Sequence, residues 1–169
     1  MPCNTKITAA ITNSCAPVKG IKRVWIGNRT ELTRTKTNNT VSVALIGAAK
    51  LYLATGFKDF ANAGADAKVF ENLPTGFTNK VMLSLTVGNA AAQMNIDQAD
   101  DLVVFAEKND GNIHVYGVDY GVWKTTQSQT ANDNKGMQNI EYATREGMEE
   151  AYSVYFSTQT AAQLDALTV

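Results

Sequence analysis

One histidine, two cysteines and no long apolar run set the first limits on this 169-residue chain. A membrane-spanning helix needs roughly 18 consecutive apolar residues, and no such stretch is present. His114 stands alone, so general-base chemistry would rest on one imidazole that needs a positioned partner and substrate access. Cys3 and Cys15 have no histidine near them to complete a zinc set; two reduced thiols are expected, or one short-loop disulfide in an oxidising setting. The opening MPCNTKITAA lacks the charged-then-apolar layout of a secretory signal, so the sequons at Asn28-Arg29-Thr30 and Asn38-Asn39-Thr40 are discounted. Phosphate-cradling G-x-x-x-x-G-K-[ST], dinucleotide-binding G-x-G-x-x-G and nucleophile-elbow G-x-S-x-G are all missing. The expectation is a non-enzymatic chain with no cofactor and no metal. A net charge of −1 also argues against a general nucleic-acid coat.

What is abundant is neutral polarity. The 19 Thr and 15 Asn together outnumber the 31 charged residues. A chain of this length fits one domain, here 1–169, able to bury roughly 70% of its unfolded surface without disulfides or metals.

The charge average hides a division. Residues 1–50 carry net +7, with Glu31 as the only acid, and residues 51–169 carry net −8. Opposite halves fit three arrangements: internal pairing, a basic surface for an anionic partner, or complementary faces that meet between copies.

Strand signals dominate the reading along the chain. Lys22–Ile26 is short and rich in β formers, with Gly27-Asn28 ending it. In the polar, Thr-rich segment 29–40, Thr33, Thr35 and Thr37 alternate with Arg34 and Lys36, as in a hairpin arm or a surface loop. Thr40–Ile46 and Lys50–Ala54 read as strands. Ala65–Leu73 reads as a short helix capped by Asp66 and stopped by Pro74. Val81–Val87 gives the cleanest alternation, and Asn89 then caps a helix in which Met94, Ile96 and Ala99 supply apolar contacts.

Beyond it, Leu102–Glu107 is a strand, and Asp110-Gly111 between two β-rich runs is a strong hairpin signal. Gly117 and Gly121 bracket a bend before Val122–Thr126, and residues 127–139 have loop composition. Two further β-like runs, IEYATREG and MEEAYSVYF, precede a tail with one or two helical turns. The sum is a mainly β, α+β chain: an antiparallel β-sandwich or partly open barrel with one or two flanking helices.

The acids Asp97, Asp100, Asp101 and Glu107 lack calcium-loop spacing and read as a solvated surface; Glu146, Glu149 and Glu150 read the same way on a strand edge. Trp25, Tyr116, Tyr120 and Trp123 would make a base-stacking platform if exposed together, but basic residues do not interleave with the last three, so core packing is expected for most of them.

The order NKVMLSLTVG, helix, DLVVFAEKNDGNIHVYGVDYGVWKT, polar stretch, NIEYATREGMEEAYSVYF resembles tailed-bacteriophage tail tube proteins. It is most similar to the phage and prophage versions associated with Bacteroidota. The front, CNTKITAAITNSC followed by GIKRVWIGNRTEL, is similar to such proteins too, so the resemblance covers about residues 3–156. It rests on strand order and a few glycines, not on a catalytic signature.

The resemblance implies a β-sandwich with a packed helix, assembled into hexameric rings that stack into a tube around a DNA channel, inside a virion built in the bacterial cytoplasm. Partners are then other copies of the chain, other tail or neck proteins, and DNA in transit without specific binding. It also implies an arm bridging to the next ring, from Arg29–Thr40 or Gln127–Asn139, with Arg29, Arg34, Lys36, Gln127, Asn132 and Lys135 as interface candidates. Segments 1–20 and 157–169 are further candidate arms. Asp97, Asp100, Asp101, Glu107 and Asp110 are candidates for the lumen or an interface, because an acidic lumen would let DNA slide. A neck or tail-completion ring would use a similar fold. A different class, a β-sandwich binding glycans or proteins, would expose Trp25, Tyr116 and Trp123 together.

Overall fold

Alternating apolar residues in a Thr-rich chain favour pleated strands with one buried face, and two sheets follow from that pattern. The computed structural model describes residues 20–55, 60–68, 76–86, 89–129 and 137–168. Eleven strands and two α-helices lie among the described residues: β1 Ile21–Asn28, β2 Leu32–Thr37, β3 Thr40–Leu45, β4 Tyr52–Ala54, β5 Ala61–Lys68, β6 Gly76–Leu85, α1 Ala90–Gln98, β7 Leu102–Lys108, β8 Ile113–Tyr116, β9 Trp123–Gln129, β10 Gln138–Ala143, β11 Tyr155–Ser157 and α2 Ala161–Asp165. A seven-stranded sheet has the order β2-β3-β11-β8-β7-β1-β4, and a four-stranded sheet the order β5-β6-β10-β9. All pairings are antiparallel except β11 with β3. The chain is a mainly β sandwich with flanking helices, as its alternation predicts.

β7 explains the layering. Its first six residues, LVVFAE, are all buried, because both of its faces are covered. Leu102, Val104 and Ala106 meet Val81, Leu83, Ile140 and Tyr142 of the second sheet. Val103 and Phe105 meet Trp25, Val115, Tyr155 and Leu164 on the opposite side, where α2 closes the core. The Trp25 indole N–H donates to Asp165 at 2.9 Å, so β1 is tied to the C-terminal turn. Asn79, itself buried, joins the layers: its Oδ1 accepts from Gly117 N at 3.1 Å and its Nδ2 donates to Ser153 O at 3.2 Å.

Local signals held at several places. Gly111 adopts φ +87° and donates its N–H to Lys108 O at 2.9 Å, closing the β7–β8 hairpin. Asn89 caps α1 by accepting from Ala92 N at 2.9 Å. Residues 29–40 are not a hairpin by themselves: they supply a 3-10 turn at Arg29–Glu31, strand β2 and the tight turn of a hairpin whose second strand is β3, in register from Leu32↔Leu45 to Thr37↔Thr40. It is the edge of the large sheet, with Leu32 in the core.

Four expectations need correction. The helix read at Ala65–Leu73 is strand β5 as far as Lys68; residues 69–73 lie outside the described set. Eight residues of continuous pairing with β6 outweigh alanine's helical preference. The loop read at 127–139 is strand at both ends, Gln127–Gln129 and Gln138-Asn139, because β9 and β10 pair there; 130–136 lie outside the described set. In MEEAYSVYF only Tyr155, Phe156 and the following Ser157 form a strand. Met94 turns away from the sandwich, 55% exposed, while Ile96 and Ala99 pack against it.

Candidate assembly surface

The outward face of the four-stranded sheet is set by register. Asn62, Met82, Glu141 and Thr126 form one row across the four strands; Gly64, Lys80, Ala143 and Trp123 form another. Ser84, Asn139 and Ser128 make a third. Lys80, the ammonium of these rows, lies 3.3 Å from the Glu141 carboxylate. Arg145 lies over the Trp123 ring, Asp66 continues the face in register with Thr78, and Met82 is exposed, so the face is mostly polar with its cations and acids balanced.

Among the described residues no strand pairs with the outer side of β5 or β9, the two edges of this sheet. β5 is built from Ala, Asn and Gly up to Asp66, and a Cβ placed on Gly64 would meet nothing within 4 Å. Lys68 at its end is drawn to Glu149 at 3.1 Å and Glu146 at 3.4 Å. β9 reads WKTTQSQ, and its one cation is turned away from the edge. Lys124 donates instead to Ile96 O at 2.7 Å and Asp97 O at 2.8 Å, at the negative end of α1. Neither edge carries a proline or an outward lysine mid-strand, the usual blocks to edge-to-edge association.

Of the sequence-predicted interface residues, Arg29, Arg34 and Lys36 lie outside this sheet and Gln127 lies on β9; all four are engaged within the chain. Arg29 binds the Asp101 carboxylate through two nitrogens, at 2.5 and 2.9 Å. Arg34 donates to Val118 O at 3.0 Å, and Lys36 pairs with Asp119. Lys22 and Arg23 both pair with Glu107, and Arg23 also reaches Asp165 at 2.9 Å. The basic first third and the acidic remainder thus meet inside one molecule, which is the first of the three arrangements the charge division allows. Gln127 donates to Asp97 at 2.6 Å, on the α1 side of its sheet. Asn132 and Lys135 lie outside the described residues.

The acids do not form one surface. Asp97 and Asp100 sit at the end of α1, where Asp100 accepts from Lys124 N at 2.9 Å. Hydrogen bonds from Gln127 and Gln93 hold the Asp97 carboxyl below its usual range. Asp101 and Glu107 lie at opposite ends of β7, and Asp110 accepts from Asn112 N at 2.9 Å in the hairpin turn. Among the described residues no three His, Cys, Asp or Glu side chains converge as metal ligands. His114 is half-buried, edge-on to Phe156 with ring centres 4.9 Å apart, and burial pushes its pKa down.

Trp25 and Tyr116 are buried in opposite cores, so they share no exposed platform with Trp123. Trp123 instead stacks under the Arg145 guanidinium, 3.5 Å from its ring centre. Of the two candidate terminal arms, residues 157–168 dock on their own chain: Leu164 is fully buried and Leu167 O accepts from Leu51 N at 2.9 Å. Residues 1–19 lie outside the described set.

One cluster escaped the sequence reading. Glu150, read as a solvated edge residue, is 0% exposed and accepts from the backbone N–H groups of Asp119 and Tyr120. Nothing local marks it, because its partners come from 30 residues earlier in the chain.

No family model, curated protein or solved structure matches the chain.

Proposed function

We propose that this chain is a structural subunit of a tailed-phage tail tube, assembling into rings that stack around a channel for DNA. The observation that carries the reading is the four-stranded sheet, with two edges that no described strand covers and an outward face of balanced charge. Pairing β9 of one copy with β5 of the next joins two different patches, a heterologous contact that closes into a ring when the rotation closes.

The dimensions support the reading. Six copies, the number the family resemblance implies, would place 24 strands in one continuous barrel. At about 4.8 Å per strand and a tilt near 40°, its backbone diameter would be roughly 50 Å. Side chains on the inner face leave room for a DNA duplex. With Lys80 paired to Glu141 and Arg145 held over Trp123, such a wall makes few phosphate contacts, and the duplex slides.

This reading moves the lumen from the acids of 97–110 to the neutral face of β5, β6, β10 and β9. It also asks less of the basic hairpin, whose Arg34 and Lys36 are committed within the subunit. A neck or tail-completion ring of the same particle would use the same edge pairing, but its rings would not stack into long tubes.

Size-exclusion chromatography with negative-stain microscopy tests the proposal. Rings or tubes are expected from the unmodified chain, and a monomer at high concentration counts against it. Gly64→Lys places a charge on the open β5 edge, where the added side chain meets no neighbour. That variant should stay folded and lose the rings.

A further inference from the structure

Three chain segments converge on two carboxylates. Glu150 follows β10 and is fixed to β6 by paired backbone bonds with Phe77, at 2.9 and 3.0 Å. Its carboxylate accepts from Asp119 N at 2.9 Å and from Tyr120 N at 3.3 Å. The Asp119 carboxylate accepts in turn from Ala151 N at 3.3 Å, from the Tyr155 hydroxyl at 2.7 Å and from Lys36 of β2. Arg34 of the same strand donates to Val118 O at 3.0 Å. Each acid therefore fastens the backbone next to the other, and the β2–β3 hairpin is clipped to the result.

We propose that Asp119 and Glu150 form a proton-operated latch, which holds the β2–β3 hairpin and the 117–121 loop together while the pair carries one negative charge and loosens them when it carries two. The charged and titratable groups around the pair are Arg34 and Lys36 from β2, Arg29 from the 3-10 turn, Asp101 ahead of β7, and Tyr152 and Tyr155 beside β11. Arg29 is committed to Asp101, and Arg34 to a carbonyl. Among the described residues Lys36 is the one cation in direct contact with the pair, so a second buried negative charge has no described cation of its own.

The protonation energetics agree with the geometry. Burial, reinforced by the neighbouring Asp119 charge, raises the Glu150 pKa to about 7. Burial pushes the Asp119 carboxyl up, but its hydrogen bonds with Lys36, Tyr155 and Glu150 together outweigh it and hold the group below its ordinary range. The latch is tightest in mildly acidic solution and opens as pH rises through neutrality. It is a property of the single subunit, so it stands or falls apart from the ring assignment.

Hydrogen–deuterium exchange, corrected for intrinsic rates, on the full chain at about pH 5.5 and about pH 8.5 tests it. In the unmodified protein, protection across Leu32–Leu45 and 117–121 should fall roughly tenfold at the higher pH. Glu150→Gln, which keeps an accepting oxygen without the charge, should show equal protection at both. An unchanged pH response in that variant overturns the latch. Should the variant fail to fold, carboxyl carbon shifts of Glu150 in the unmodified protein decide. A midpoint near 7 supports the latch, and one in the ordinary glutamate range contradicts it.

Discussion

The Asn79 side-chain oxygen accepts the backbone N–H of Gly117 at 3.1 Å, joining β6 of one sheet to the end of β8 in the other. The same amide donates to Ser153 O at 3.2 Å, and Asn79 is buried. Asn79→Ala strands a buried donor and a buried acceptor at once. The expected loss is on the order of 2–4 kcal/mol, read by urea unfolding.

Gly117 itself tolerates no side chain. Its φ is +74°, and a Cβ there would come within 2.6 Å of Leu102 O and 2.7 Å of Val122 N, both backbone atoms. Gly47 has a similar φ of +62° with nothing within 4 Å. Gly117→Ala should therefore destabilise by more than about 2 kcal/mol and Gly47→Ala by about 1, a contrast that separates crowding from backbone strain. Thermal denaturation of the two variants side by side measures it.

Leu164 reports whether the C-terminal segment belongs to the core. It is 0% exposed and packs in one cluster with Trp25, Phe105 and Tyr155. Leu164→Ala should cost about 2–5 kcal/mol in chemical unfolding, as for a buried leucine elsewhere. A loss under about 0.5 kcal/mol would restore the view of 157–169 as a detachable arm.

Much of this was readable locally. Asp110-Gly111 specifies its turn because Gly111 alone must take positive φ, and Asn89 before three alanines announces α1. Strand β7 is legible as an unbroken apolar run. The alanines of β5 mislead because their helical preference is decided by a pairing with β6 that no neighbouring residue encodes. The charge division was visible, but its resolution was not. Arg29 finds Asp101 and Lys36 finds Asp119 only after β2, β7 and the 117–121 loop are assembled. Glu150 was misread for the same reason: a glutamate beside Glu149 and Glu146 has the composition of a solvated edge, and only the fold buries it.

Global stability should carry the signature of that burial. Glu150 has a folded pKa of about 7 against an ordinary value of 4.5. A group whose pKa rises on folding contributes stability that is complete below its unfolded pKa and is lost as pH rises through the folded one. Glu150 alone therefore removes up to about 3 kcal/mol between about pH 4.5 and about pH 8. Asp119 acts oppositely, its contribution disappearing only as pH falls below the ordinary aspartate range. Urea midpoints across this range should decline toward alkaline pH in the unmodified protein and flatten in Glu150→Gln.

In the proposed assembly, the sheet edges β5 and β9, which no described strand covers, join copies into a ring. Negative-stain imaging of the purified chain over a rising concentration series, beside Gly64→Lys at matched thermal stability, tests it most directly. Rings or stacked tubes are expected for the unmodified chain and none for the variant. Rings that persist unchanged in Gly64→Lys, or an unmodified chain that stays monomeric throughout, would contradict it.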